Sequence, residues 1–303
     1  MTESLVSIDG LRKSYGSVAA VHGIDLQVAR GEVFGLLGPN GAGKTTILEC
    51  LEGLRRADGG RLRVAGCDPQ SEERRLRQHL GVQLQSGSLP GSIQVREALG
   101  LVCSWHALPP RPDLSDRLGI ADLLHRRYRE LSAGQQRRVE LALALVHGPE
   151  VIALDEPTAG LDVESRAQLH AEVRSLSAEG VTVLLATHDM AEAEELCDRI
   201  AIIVRGRIVV CGTPDAVTAA GSSETRIRVR TRRSSLPPGD IGSARFLRVK
   251  GDYLEWSCSD AAAAVPEILL RVQAAQDAVE DLRVERPTLE ERFLELVKGA
   301  EQG

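Results

Sequence analysis

The chain has little of what would place it in a bilayer, an oxidising compartment or on a nucleic acid. No apolar run approaches the ~18 residues of a membrane span; the longest, such as Leu141–Val146, are short. The opening Met1-Thr-Glu-Ser-Leu-Val-Ser-Ile-Asp9 lacks the basic and apolar regions of a secretory signal, so a soluble protein is expected. Six cysteines, at 50, 67, 103, 197, 211 and 258, are scattered without a C-x-x-C pair. That argues against zinc or a disulfide framework and fits a reducing cytosol. Lysine is scarce (13, 44, 250 and 298 only), and the formal net charge of −6 gives no general attraction to nucleic acid or an anionic membrane. No internal repeat is visible. The 303 residues suffice for one large domain or two.

What is there alternates between two periods. Residues 5–12 and 22–28 switch between apolar and polar and are bounded by glycines, as paired strands do, and 61–65 resembles a third. The stretch 93–147 is mostly helical in pattern, broken by Leu108-Pro-Pro-Arg-Pro112. Short apolar strands follow at 151–154, 181–186 and 199–204, the last turning through Arg205-Gly206 into 207–211. Strands alternating with helices predict an α/β fold with a largely parallel sheet. Thr213-Pro214 has the N-cap and first-position proline of a further helix.

Beyond about residue 222 the pattern changes. Strand-like 225–231, 245–250, 253–257 and 282–285, a helical 261–276, and a capping box at Thr288-Leu-Glu-Glu291 predict a small α+β domain of about 80 residues.

The chemistry begins at Gly38-Pro-Asn-Gly-Ala-Gly-Lys-Thr45, between the strand-like Val33-Phe-Gly-Leu-Leu37 and a helical run from about Thr46. Gly-x4-Gly-Lys-Thr is the spacing of a phosphate-cradling P-loop. Glycines allow the backbone to wrap an anion with N–H groups inward, and the helix start adds partial positive charge. Lys44 is expected on the β- and γ-phosphates and the Thr45 hydroxyl on Mg²⁺. The strand Val151-Ile-Ala-Leu-Asp155 ends where Asp155 can hold the metal, and Glu156 follows as a candidate general base. His188 ends another apolar strand, on the side of the sheet where ligands bind, and is expected at the γ-phosphate or attacking water. The remaining histidines (22, 79, 106, 125, 147 and 170) are read as structural. Finally, Leu131-Ser-Ala-Gly-Gln135 opens a helix at a second anion-binding start, useful if it serves a nucleotide held by another subunit.

Taken together these motifs resemble the ATP-binding-cassette (ABC) ATPases, in the family's order, over about residues 4–220. The resemblance makes Gly38, Pro39, Asn40, Gly41, Ala42, Gly43, Lys44, Thr45 and Thr46 the nucleotide-binding Walker A segment, and Asp155 and Glu156 the Walker B pair. It makes Tyr15 the aromatic that stacks on adenine, and Gln85 the Q-loop glutamine, beside Mg²⁺ and the attacking water; Gln83 competes for that role. His188 resembles the switch histidine. Ser132, Ala133, Gly134 and Gln135 resemble the signature, and Asp162 the D-loop; both would act in trans on a partner's ATP. Ala133 stands where a glycine is usual, tolerable if its φ is negative.

The implied fold is a P-loop NTPase cassette over 1–221, with a RecA-like parallel core, an antiparallel β subdomain and a helical signature subdomain at about 88–147; an accessory domain follows at 222–303. The implied partners are a second copy, paired head to tail around two ATPs, and a separately encoded permease whose cytoplasmic helix would be received near Ser86–Leu101. That makes the chain cytoplasmic and peripheral on the inner face of the membrane, with no nucleic acid expected. The tail Pro287–Val297 resembles that of daunorubicin/multidrug-type exporter ATPases, favouring export over import. A soluble ABC ATPase of translation or DNA repair, or the ATPase of an importer, is the alternative. The soluble ones normally carry two cassettes or a long coiled-coil insertion, and neither is visible here.

Overall fold

A computed structural model describes residues 4–84, 89–220, 225–285 and 288–302. They form two compact units, Met1–Pro214 and Asp215–Gly303.

The first unit opens with β1 (Ser4–Tyr15) and β2 (Val18–Ala29), an antiparallel hairpin, followed by β3 (Val33–Leu37), the loop to Gly43, and α1 (Lys44–Leu51). Next come β4 (Gly59–Val64), α2 (Glu73–His79) and β5 (Leu80–Gln83). The helical stretch resolves into α3 (Val95–Trp105), α4 (Pro112–Arg117) and α5 (Ala133–Leu145), with 3₁₀ turns at Ala121–Leu123 and Tyr128–Glu130. Then follow β6 (Val151–Asp155), α6 (Val163–Ala178), β7 (Thr182–Thr187), α7 (Met190–Leu196), β8 (Arg199–Val204) and β9 (Arg207–Gly212). The short α8 (Pro214–Ala219) lies at the junction, so the division falls seven residues before the expected 221/222, at the start of that helix.

β1, β2 and β4 make a small antiparallel sheet, β2-β1-β4. The main sheet runs β5-β6-β7-β3-β8-β9, parallel except for the edge pair β8–β9. Every residue of β3, β6 and β7 is buried, as a sheet covered on both faces requires. Phe34, Leu36, Ala153, Leu184, Ala186, Ala201 and Ile203 share one core with Ile47, Leu48 and Leu51 of α1 and the small sheet. By the period of two, Ile152, Leu154, Val183, Leu185, Ile200 and Ile202 are buried on the opposite face. Because β3, β6 and β7 run in parallel, the loops leaving them collect at one edge, where ligands of open α/β sheets bind.

The second unit pairs β10 (Thr225–Thr231), β11 (Arg245–Lys250), β12 (Tyr253–Cys258) and β13 (Val279–Glu285) in an antiparallel sheet, β11-β12-β10-β13. α9 (Ala261–Ala274) lies between β12 and β13 in sequence, and α10 (Leu289–Gln302) closes the chain. Ile227, Val229, Leu254 and Trp256 pack with Ala264, Ile268 and Val272 of α9. The Trp256 indole N–H, inside that core, donates to the Gly239 carbonyl at 2.9 Å.

Two elements were not legible in the sequence, α2 and β5. β5 is four residues long and lies beside β6, in register Gln83 to Leu154.

Candidate functional site

The loop between β3 and α1 is shaped by what its glycines leave out. A Cβ at Gly38 would meet the Ile203 carbonyl oxygen at 2.4 Å, so only glycine lets β3 run into the loop against β8. Gly43, the N-cap of α1, has φ +106°, and a Cβ there would meet the Ala20 carbonyl at 2.7 Å. The turn therefore packs against β2 and aims the first N–H groups of α1 into a cavity, free of intrahelical partners. That cavity, of about 280 Å³, is lined by Ala20, Pro39–Thr46 and Glu156.

Two charged groups meet at its floor, and a histidine adjoins one of them. Lys44 Nζ is buried, donates to the Gly38 carbonyl at 2.6 Å, and lies 3.6 Å from Glu156 Oε1. Burial holds its pKa below the ordinary lysine value, against the opposing pull of Glu156 and Asp155. The other oxygen of Glu156, Oε2, lies 2.7 Å from His188 Nδ1. Since a carboxylate only accepts, that nitrogen carries the proton, leaving Nε2 as the second ring nitrogen. Glu156 is almost wholly buried, whereas the His188 side chain is 59% exposed and so reachable from solvent.

The Glu156 backbone is itself unusual. Its φ is +49°, a left-handed conformation costing a non-glycine residue of order 1–3 kcal/mol. Its N–H donates to Ala186 O of β7 at 2.8 Å, which pins the strained turn beside the strand that His188 follows. Asp155, one residue earlier, is 3% exposed. Burial raises its pKa against a hydrogen bond from Thr45, with the Glu156 charge adding to the rise. Its Oδ1 is buried and has no protein partner among the described residues. A carboxylate oxygen left bare beside a threonine hydroxyl fits a hard divalent cation.

Tyr15, at the end of β1, is 41% exposed, with its hydroxyl 3.5 Å from Thr46 Oγ1. Arg55 and Lys13 lie 5.1 and 5.7 Å from its ring centroid, and Lys13 is paired with Asp58 at 2.8 Å. The Arg55 contact was not legible in the sequence, because a cation over an aromatic has no fixed spacing along the chain.

The second anion-binding start lies elsewhere. None of Ser132–Gln135 or Asp162 lines the cavity at Lys44. Ser132 caps α5 reciprocally: its hydroxyl accepts from Gln135 N at 3.3 Å, while the Gln135 side chain accepts from Ser132 N at 3.0 Å. Ala133 is the first helical residue and exposed, and its φ is not positive, so its methyl group points to open space. Gly134 is the position without room, because a Cβ there would lie 2.3 Å from Ser165 Oγ. That contact abuts α5 on the start of α6, whose N-cap Asp162 accepts from Ser165 N at 2.7 Å. Two helix N-termini with positive dipole ends thus meet at one surface.

Of the other expected residues, Gln85 lies outside the described residues, as does the stretch 86–88. Gln83 is described: it is 2% exposed at the end of β5, and its Nε2 points to Glu140 of α5 at 3.4 Å. The Glu140 partnership was missed, since nothing in the sequence pairs a strand end with a helix fifty residues away.

The comparisons agree with this geometry. A family profile described as ABC transporter matches residues 21–159. The chain is similar to daunorubicin resistance ATP-binding protein DrrA3 of Streptomyces coeruleorubidus, at 38% identity over 98% of this chain and 96% of the relative. It is similar to Nod factor export ATP-binding protein I of Paraburkholderia xenovorans, at 42% identity over 73% of this chain and 74% of that one. Among solved structures, one described as the ATP binding subunit of an ABC transporter superposes with a TM-score of 0.66. It is 26% identical and covers 72% of this chain and 93% of its own.

Proposed function

The chain belongs to the ABC transporter family, and on that premise we propose that it is the ATP-hydrolysing subunit of an exporter, working as a head-to-tail pair on a separately encoded permease. The observation that carries this reading is the split site. Lys44 and Glu156 line one cavity, with His188 bonded to Glu156, while the Ser132 helix start, equally suited to phosphate, is not among its walls.

In this mechanism the P-loop N–H groups and Lys44 bind the phosphates of ATP, with Lys44 exchanging the Gly38 carbonyl for phosphate oxygens. Tyr15 stacks on the adenine. Thr45 and Asp155 are the residues to hold Mg²⁺, which when bound neutralises charge on the β- and γ-phosphates. Glu156 accepts the proton of the attacking water as general base. His188 holds that carboxylate through Nδ1, and its exposed ring would reach the γ-phosphate. Gln85 is assigned to the metal and water on its sequence position alone. Ser132, Gly134 and Gln135 of the second copy, with its Asp162, close over the γ-phosphate. Binding shuts the pair and hydrolysis reopens it.

Export is favoured by relatives named for daunorubicin resistance and Nod factor export, the first similar along both units. The acidic net charge gives no support to a nucleic-acid role. No helix among the described residues is long and apolar enough to cross a membrane. Leu101 and Trp105, one turn apart on α3, are each 67% exposed, and Leu84 is 40% exposed. These apolar side chains support docking of a permease helix beside α3. The test is isolation of the tagged chain from membranes of its own cell. Recovery with a multi-span protein is expected; recovery of the chain alone, at every detergent and nucleotide condition, contradicts the exporter reading.

A further inference from the structure

The nucleotide cavity and the helix beginning at Ser132 must hold a fixed relation if two copies are to close over both ATPs at once, and among the described residues a polar cluster on α5 is placed to hold it. Glu140 lies on α5 eight residues after Ser132, roughly 12 Å along the axis at 1.5 Å per residue. Its side chain is 12% exposed and gathers three donors from three places. Oε1 accepts from the Tyr128 hydroxyl, in the 3₁₀ turn that leads into the signature. Oε2 accepts from Arg137 at 2.8 Å, one turn earlier on the same helix, and from Gln83 Nε2 at 3.4 Å at the end of β5. The same Arg137 nitrogen also donates to the Leu84 carbonyl at 3.3 Å.

The strand side is equally fixed. Gln83 is the register partner of Leu154 in β6, one residue before Asp155 and two before Glu156. The entry to α5 is tied as well: Gln136 Nε2 donates to the Tyr128 carbonyl at 3.1 Å, and Tyr128 N to Ile93 O at 2.9 Å. A continuous hydrogen-bonded path therefore runs from the carboxylate strand through β5 to the signature helix. Tilting α5 by about 5° about Glu140 would move Ser132 by roughly 1 Å over that 12 Å arm. Misplacement on that scale is enough to cost about 10²-fold in rate.

We propose that Glu140 is a positioning residue for the composite ATP site: it locks the signature helix to the strand pair carrying Asp155 and Glu156, so that a second copy can close over bound ATP. This rests on the head-to-tail reading above. Glu140 touches no nucleotide in this account; it acts through Ser132 and Gly134.

The test uses the full chain carrying Glu156→Gln, so that ATP is retained, with dimerisation followed by light scattering and ATP affinity measured separately at concentrations where the chain is monomeric. Adding Glu140→Gln, which keeps size but removes the charge, is expected to leave monomer ATP affinity within about twofold and weaken the ATP-dependent dimer at least tenfold. Gln83→Leu, which cuts the link from the strand side, is expected to do the same if Glu140→Gln folds poorly. The exchange variant, Gln83→Glu with Glu140→Gln, restores one acceptor and one donor and should bring dimerisation back to within about threefold. With Glu156 intact, kcat should fall with KM for ATP unchanged. A dimer as tight as the parent's in both single variants overturns the proposal, and so does loss of monomer ATP affinity in parallel with the dimer. If the Glu156→Gln parent itself shows no ATP-dependent dimer, the head-to-tail reading fails and the positioning role with it; that control tells the two failures apart.

Discussion

Two carboxylates in this chain are buried to the same degree and shift in opposite directions. Glu255, in β12 of the second unit, is 1% exposed, with Arg228 and Arg248 each at 2.8 Å. Burial alone would raise its pKa, but the Arg248 hydrogen bond and the two guanidinium charges outweigh it and hold it below the ordinary value. Asp155, in β6 of the first unit, is 3% exposed, and burial pushes its pKa up. One oxygen has no protein partner among the described residues, and its next neighbour is the strained Glu156. A carboxylate with an arginine charge against each oxygen serves the sheet that carries it. One held under-satisfied beside a phosphate loop is costly to the apo fold and useful only with its ligand.

Substitutions can break the comparison from either side. The largest effect on stability is expected from Glu255→Ala, which removes the carboxylate between two arginines. Losing its charge-assisted contacts costs about 2 kcal/mol, since Arg248 is more than half exposed and Arg228 keeps Glu285 at 3.0 Å. Denaturant unfolding of the variant should show it, with ATP affinity of the folded protein unchanged. Asp155→Asn should act oppositely, raising the apo unfolding free energy by about 0.5–2 kcal/mol while abolishing Mg²⁺-dependent hydrolysis. A destabilised Asp155→Asn would make that residue structural.

The pH dependence follows from the same two directions. The lowered pKa of Glu255 means its contribution is present above the unfolded carboxylate range and lost as pH falls through its folded value. The raised pKa of Asp155 gives a contribution present in acid and lost as pH rises through its folded value. The Glu255→Ala penalty should therefore shrink on acidification, and the Asp155→Asn gain should grow toward neutral pH. Curves from urea titrations between acid and neutral pH check both. The smallest effect is expected at Ala133→Gly: the methyl group there is exposed and helical, so kcat should change by less than about twofold. Gly134→Ala, against Ser165, should not be so mild.

Much of the site was legible in the sequence because its chemistry is local. Gly38–Thr45, Asp155-Glu156 and Ser132–Gln135 are contiguous, each at a strand end or helix start whose geometry the spacing dictates. The strands at 151–155 and 182–187 announced themselves as short apolar runs. What stayed hidden is what needs distance in sequence: the Glu156–His188 bond, Arg55 over Tyr15, and the Gln83–Glu140 link. β5 was missed because four residues carry too little periodicity, and its burial comes from β6 and α5 beside it. The strain at Glu156 has no sequence signal, since glutamate ordinarily avoids positive φ.

The central claim is that this cavity is half of a site completed by a second copy. The most direct measurement is the mass of the Glu156→Gln chain in solution by light scattering, with Mg²⁺ and saturating ATP, then with ADP. The account predicts twice the monomer mass with ATP, the monomer with ADP, and phosphate release slowed by at least about 10²-fold. A monomer at saturating ATP, or hydrolysis near the parent rate, would contradict it.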